Sequence, residues 1–194
     1  MSTVTTNIPL LLLLQLLPLS VALLLFVMRK RIPKLATYAA PIAFLTMGGE
    51  ALLTIVTYAN FDSSTPALQL AENFDLTHPL DYHAAIDGMS LLFIILTTVL
   101  GMLVVLYGWQ TLEADEHPRF MAAVLFTIAT LISLFTTQNL LWFVLMSAIQ
   151  LLPIGTLLIS WSTSPEKEEA VARFIQFMSI GLLLLTIGTL MLGW

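Results

Sequence analysis

Residues 140–161 read LLWFVLMSAIQLLPIGTLLISW, from Leu140 to Trp161. The stretch carries no charge. Its polar groups are Ser147, Gln150, Thr156 and Ser160, set around Pro153. As a helix at ~1.5 Å per residue it is ~33 Å long, which matches the hydrocarbon thickness of a bilayer.

The same pattern recurs on either side. Apolar spans run over 8–28, 36–58, 89–109 and 120–136 before it and over 170–193 after it. The chain is 58% hydrophobic and 10% charged, with mean hydropathy +0.95. A soluble domain carries about a quarter charged residues. The sequence therefore predicts an all-α polytopic membrane protein with six transmembrane helices in one domain, residues 1–194. It contains no cysteine, which excludes disulfides, thiolate metal sites and thiol catalysis.

Charge placement predicts the orientation. Arg29, Lys30, Arg31 and Lys34 lie between the first and second spans. Arg119 lies between the third and fourth, and Lys167 and Arg173 at the connection from the fifth to the sixth. All seven basic residues fall on one side of a six-span chain, and the positive-inside rule makes that side cytoplasmic. Both termini and the polar loop 60–87 are then expected outside. Positive charge follows the first apolar span instead of preceding it, so this span is expected to be a retained helix and not a cleaved signal. The expected setting is a bacterial inner (cytoplasmic) membrane.

Few residues offer chemistry. Glu50 sits well inside the second span, beside Gly48-Gly49 and downstream of Pro41, and an ionised carboxylate at that depth is costly. It reads either as a proton-relay group or as a neutral, hydrogen-bonded acid at a helix interface. Ser147 and Gln150 are polar but cannot carry net charge. The loop 60–87 holds His78, His83 and several carboxylates, yet their spacing fits no compact ligand motif, and a solvated loop is expected in place of a metal site. The three histidines, 78, 83 and 117, are expected in loops, which leaves no helical pair for an intramembrane haem. There is no phosphate-binding glycine loop, HExxH or nucleophile elbow. Seven basic residues are too few for a nucleic-acid surface. No cofactor is expected, nor catalysis by this chain alone. Pro118 suits the first turn of the fourth helix. Ser164-Pro165 reads as the cap and first position of the sixth.

Two stretches carry a resemblance. Tyr82-His83-Ala84-Ala85-Ile86-Asp87-Gly88-Met89-Ser90-Leu91 resembles the YHLGxDGxSL signature of the antiporter-like membrane subunits. That family serves respiratory complex I, related membrane hydrogenases, Mrp cation/proton antiporters and energy-coupled inorganic-carbon uptake complexes. The span from Leu140 resembles the family's LLxFxxFWExxLxPxxxLI helix at Leu140, Leu141, Phe143, Leu151 and Pro153. Further on, Ala170, Arg173, Phe174, Phe177 and Gly181 resemble AAxKFxxYxxxG, with Arg173 for Lys and Phe177 for Tyr. The resemblance covers residue 81 to the end.

The departures shape the expected function. Where pumping members carry Trp-Glu, this chain has Ser147 and Ala148. Family subunits are longer, built from inverted repeats, with key lysines on helices beyond the sixth. The chain is therefore expected to be a truncated member that stops within the first repeat. Three readings follow. In the first it is an accessory, pump-residue-deficient subunit of a proton- or cation-coupled membrane complex, docked on a full-length antiporter-like subunit. In the second it is one part of a split transporter with Glu50 as relay. In the third it is a free-standing membrane scaffold. The resemblance gives Asp87, Gly88, Pro153 and Arg173 structural or docking roles. The expected partners are the lipid bilayer and other membrane subunits, with no nucleic acid.

Overall fold

The computed structural model describes residues 9–32, 35–74 and 81–192. Six helices dominate: α1 (Leu10–Met28), α2 (Leu35–Ala59), α3 (Gly88–Thr111), α4 (His117–Thr136), α5 (Leu140–Trp161) and α6 (Lys167–Leu192). Each is long and apolar enough to cross a membrane, as composition predicts. Two short strands, β1 (Gln69–Phe74) and β2 (Tyr82–Ile86), stand between α2 and α3. Of the sequence-stretches singled out above, residues 1–8, Lys34, Asp75, His78, Gly193 and Trp194 lie outside the described residues.

Helix α4 is the hub. It packs against α1, α2, α3 and α5, and Met121, Leu125, Ile128 and Ile132 on it are fully or nearly fully buried. Small residues let its neighbours approach closely. A β-carbon built at Gly101 of α3 would lie 2.5 Å from Ile128 Cδ1, and one at Gly108 would lie 2.3 Å from the Phe120 ring. Phe120 is itself held edge-on against Trp161, with ring centroids 5.1 Å apart. Gly49 of α2 meets Leu17 of α1, at 3.3 Å from its would-be β-carbon. The Gly48-Gly49 pair thus serves close helix contact, at its second member. Three helices contain an internal proline, Pro18 in α1, Pro41 in α2 and Pro153 in α5. The outward faces are lined with large apolar side chains such as Leu45, Leu103 and Leu183, as a lipid-facing surface requires.

The bundle has two chemically different ends. At one end Arg29, Lys30 and Arg119 gather around Asp115, Glu116 and Trp161; this is the basic end. At the other end sits the hairpin that the sequence reading has as loop. β1 and β2 pair antiparallel, Glu72 opposite Ala84 and Phe74 opposite Tyr82, with a bulge between Gln69 and Glu72. Leu70 in the bulge takes φ 52°, a left-handed conformation costly for a branched side chain. Its side chain is 2% exposed, so burial offsets that cost.

The bulge lets Glu72 face the bundle, where its carboxylate closes the N-terminus of α1. Leu11 N donates to Oε1 at 2.8 Å and Leu12 N to Oε2 at 2.9 Å. An anion is favoured there by free amides and the helix dipole. Burial still holds the Glu72 carboxyl above its ordinary pKa, against the two backbone hydrogen bonds. One turn along α1, Gln15 Nε2 donates to Tyr82 Oη at 2.8 Å and to Thr136 Oγ1 at 2.9 Å. That side chain ties β2, α1 and α4 together. Burial, with Glu72 nearby, raises the Tyr82 phenol. The α4–α5 turn is fixed to the same hairpin: Gln138 N donates to His83 O at 2.7 Å and Asn139 Nδ2 to Asp81 O at 3.0 Å.

Helix ends follow local rules with one correction. Asp87 caps α3, its Oδ1 accepting from Ser90 N at 2.7 Å. Asn139 caps α5, accepting from Leu141 N and Trp142 N. Pro118 lies in the first turn of α4. Ser164 and Pro165, however, precede α6 instead of opening it. Ala170 N donates to Glu166 O at 3.0 Å, so the helical ladder starts at Glu166, after a turn in which Ser162 Oγ accepts from Ser164 N. His83 belongs to β2 and His117 is the first residue of α4. Neither lies in a loop, and both stand at an end of the bundle.

Three outcomes are expected. Gly108→Ala drives a methyl into Phe120, which cannot retreat past Trp161, and should destabilise by about 1–3 kcal/mol, read as a lower Tm in detergent. Glu72→Ala leaves two amides of α1 without partners, and hydrogen exchange at Leu11 and Leu12 should accelerate while α4 amides stay protected. Asp87→Ala should cost about 1 kcal/mol near neutral pH. Backbone and side-chain hydrogen bonds to Ser90 hold the Asp87 carboxyl below its ordinary pKa. Its stabilisation is therefore present above the unfolded pKa and lost as pH falls through the folded one. The gap between wild type and variant should close in acid.

Candidate functional site

Helix α5 carries the stretch that resembles the family's carboxylate helix, and it has no titratable side chain of its own. Ser147 Oγ donates to Phe143 O at 2.8 Å, within its own helix. Ala148 lies on the exposed side of α5 with Leu145 and Leu152, the last 68% exposed. Gln150 and Pro153 turn the other way and are buried. Gln150 Oε1 has no hydrogen-bond partner among the described residues. Pro153 has no N–H to give the carbonyl of Ile149, and Thr156 Oγ1 donates to the Pro153 carbonyl at 2.8 Å. Between α1 and α5, over α4, runs an apolar cleft of about 490 Å³. Gln15, Tyr82, Trp142 and Met146 are among its lining residues.

Glu50 is the one charged residue type within the described α2. It is 0% exposed, and neither carboxylate oxygen has a hydrogen-bond partner among the described residues. One turn on, Thr54 Oγ1 and Thr98 Oγ1 of α3 share a hydrogen bond of 3.0 Å. A carboxyl group without a cation or donor in such a place is costly to hold as an anion. The structure does not bring Glu50 together with Ser147 or Gln150: α2 packs on α1, α3 and α4, and α5 packs on α4 and α6.

The remaining predicted positions are at helix ends. Asp87 caps α3 as described. Gly88 is exposed, and a β-carbon there would meet nothing within 4 Å, so no close approach demands a glycine. Arg173 is ion-paired with Glu169 one turn earlier on α6, both side chains largely exposed. Such a pair contributes little stability. The sequence reading did not single out Glu72, Tyr82 Oη and Thr136 as the hairpin's anchors, nor the Gly101 and Gly108 contacts. The seven-residue glycine spacing in α3 is a visible signal for the latter. Nothing local marks Glu72 among the acidic residues of its loop.

No family model matches the chain. Chain 4 of the NAD(P)H-quinone oxidoreductase of Picosynechococcus is 28% identical over 146 residues, 74% of this chain and 27% of that protein. The chloroplastic chain 4 of Huperzia lucidula is 32% identical over 148 residues, 74% of this chain and 29% of that protein. Among solved structures, a chain of the membrane-bound sulfane sulfur reductase, an archaeal respiratory membrane complex, matches with TM-score 0.77 at 16% identity. That match covers 93% of this chain and 36% of the other, and it shows a shared fold. The chain spans less than a third of the length of the curated relatives it matches. Its homologues are chain 4 subunits of NAD(P)H-quinone oxidoreductases, so the resemblance read from Tyr82–Leu91 and Leu140–Pro153 holds, and this is an integral membrane relative of the antiporter-like subunits of complex I.

Proposed function

We propose that this chain is an accessory antiporter-like subunit of a proton- or cation-coupled, complex I-like membrane complex, docked on a full-length antiporter-like subunit. The observation that carries the reading is the chemistry of α5. The helix keeps the family's Leu140, Phe143 and Pro153, and it presents Ala148 on an exposed face where pumping members carry a carboxylate. An alanine cannot exchange a proton, so the ion-translocating step belongs to the partner.

The exposure of α5 and α6 supports docking. Among the described helices α6 packs on α5, and most of its side chains are exposed, Phe177, Leu184 and Met191 among them. Without a hydrophobic drive between helices in lipid, such faces pair through shape and small residues. Gly181 and Gly188 stand open on α6, with nothing within 4 Å of a would-be β-carbon. Asp87 at the hairpin end, and Arg173 near the basic end, are read as residues that hold helix ends at the junction. The basic end is read as the cytoplasmic side of a bacterial inner membrane, from the gathering of Arg29, Lys30 and Arg119.

The test is affinity purification of the chain from gently solubilised native membranes, with identification of everything that stays bound. A full-length antiporter-like subunit at equal stoichiometry, with redox subunits, is the expected outcome. Recovery of the chain alone or as a homo-oligomer would overturn the accessory reading. Recovery with a carbonic-anhydrase-like zinc protein would move the host to inorganic-carbon uptake. Leu152→Trp and Gly181→Trp, on the exposed α5 and α6 faces, should each reduce co-purification severalfold and leave the Tm of the isolated chain unchanged.

A further inference from the structure

The seam between α2 and α3 changes character at Glu50. Contacts fix its register. Thr54 bonds to Thr98, and a β-carbon at Gly101 would lie 3.1 Å from Met47 Cε and 2.5 Å from Ile128 Cδ1. α2 runs from the basic end to the hairpin end and α3 runs back. Glu50 therefore lies between the Thr54–Thr98 bond on its hairpin side and the Met47–Gly101–Ile128 contact on its basic side.

Toward the hairpin, the buried stripe of α2 continues through Thr54 and Thr57, and α3 contributes Thr97 and Thr98, beyond which lie Ile94 and Leu91. Thr57 Oγ1 and Thr98 Oγ1 donate to their own helices, to Leu53 O at 2.8 Å and Ile94 O at 3.0 Å. A hydroxyl bonded this way keeps lone pairs for an incoming proton donor. Toward the basic end the stripe closes. Thr46, whose hydroxyl donates to Ile42 O at 2.8 Å as Thr57 does to Leu53 O, is the last buried polar side chain of α2 in that direction. Beyond it α2 shows Ala43, Ala40, Ala39 and Leu35, and α3 shows Gly101, Val105 and Gly108. Ile128 and Phe120 of α4 press into those two glycines. Beyond Thr46, the buried residues that α2 and α3 contribute to that half are all apolar among the described residues.

The acid also stands alone. α2 holds no other charged side chain, and its tyrosines, Tyr38 and Tyr58, are exposed. The elements packed on it offer none at this depth. α1 and α3 contain no Asp, Glu, Lys, Arg or His, and Tyr107 of α3 is exposed. α4 has His117 and Arg119, both in its first turn at the basic end. Across from Gly49 the α1 contact is Leu17, whose side chain is apolar.

We propose that Glu50 is a proton-exchanging site of this chain, open through the threonine-lined seam to the hairpin end and sealed from the basic end by Met47, Gly101 and Ile128. A carboxylate oxygen takes its proton from water at the hairpin end and returns it there. The site is a half-channel with one mouth. This does not rest on the accessory role argued above, since α5 takes no part in it.

The test uses the full chain in sealed proteoliposomes, with the pH of each side set separately. An exposed reporter, Ser63→Cys at the hairpin end, read with an impermeant maleimide, gives the orientation. The probe is dicyclohexylcarbodiimide, an apolar reagent that modifies buried carboxylic acids only in the protonated form. Labelling is read by mass spectrometry on the peptide containing Glu50. The expected result is labelling that is lost when the hairpin-side pH is raised and unchanged when the basic-side pH is raised. Glu50→Gln, nearly isosteric, should remove the labelled peptide. Thr57→Val with Thr98→Val should slow the response severalfold, and Met47→Ser should add a response to the basic side. Labelling that follows the basic side in the wild type overturns the proposal. So does labelling that follows neither side, which would make Glu50 a locked structural acid, and so does the absence of labelling at low pH on the hairpin side.

Discussion

Inside a hydrocarbon core a polar group that loses its partner finds no water to replace it. That constraint orders this structure. Regular helices satisfy their own backbone, and Ser and Thr side chains follow suit. Thr46, Thr57, Thr98, Thr136 and Ser147 all donate to a carbonyl three or four residues earlier. The exceptions therefore stand out. The buried side-chain atoms without a partner among the described residues are the two oxygens of Glu50, Gln150 Oε1, His117 Nε2 and Trp161 Nε1. His117 and Trp161 lie at the basic end, near the bilayer surface. Glu50 and Gln150 lie deep, and Gln150 sits just before Pro153, which interrupts its own helix ladder.

Packing explains why these groups stay where they are. Helices in lipid gain little from burying apolar surface against one another, so close fit has to hold them. α4 achieves that fit by filling the glycine notches of α3 with Ile128 and Phe120. At the hairpin end the mechanism changes to hydrogen bonding. Glu72 on the first amides of α1, Gln15 between Tyr82 and Thr136, and Gln138 and Asn139 on the β2 backbone lock one end of α1, α4 and α5 to the hairpin. The basic end has weaker ties. Arg119 lies over the Trp161 ring at 5.6 Å, and its acidic neighbours remain solvated. The bundle is anchored at one end and looser at the other.

The sequence made the helices legible because each is a long, uncharged apolar run flanked by loop residues, and composition leaves no other class. Asp87 was singled out through the resemblance, as a structural or docking residue, and its capping bond to Ser90 N emerges only in the structure. The hairpin was not legible. Gln69-Leu70-Ala71-Glu72-Asn73-Phe74 has no clean alternation, since the bulge at Leu70 shifts the face and turns a charged residue inward. The reading of Glu50 stopped at its place in the span. Which neighbours meet it depends on the rotation of α2 against α1, α3 and α4, and helical periodicity carries no signal there, because all faces of α2 are largely apolar. For the same reason the side of α5 that carries Ala148 could not be told from the one that carries Gln150.

The geometry separates two properties that an antiporter-like subunit would normally join. α5 and α6 form the exposed apolar surface, and they contain no acid within the bilayer. α2 contains the acid, and its principal packing partners are α1, α3 and α4. α4 stands between them and touches both sides. The most direct route by which a partner seated on α5 and α6 can influence the α2–α3 seam is α4, by shifting Ile128 in the notch of Gly101 or Ser133 under Trp142, whose indole donates to the Ser133 hydroxyl at 3.2 Å. Coupling of this kind needs an element with two discrete arrangements. The tight glycine contacts favour α4 moving as a rigid rod over a side-chain relay, because Ile128 Cδ1 already fills the notch at Gly101, 2.5 Å from where a β-carbon would stand.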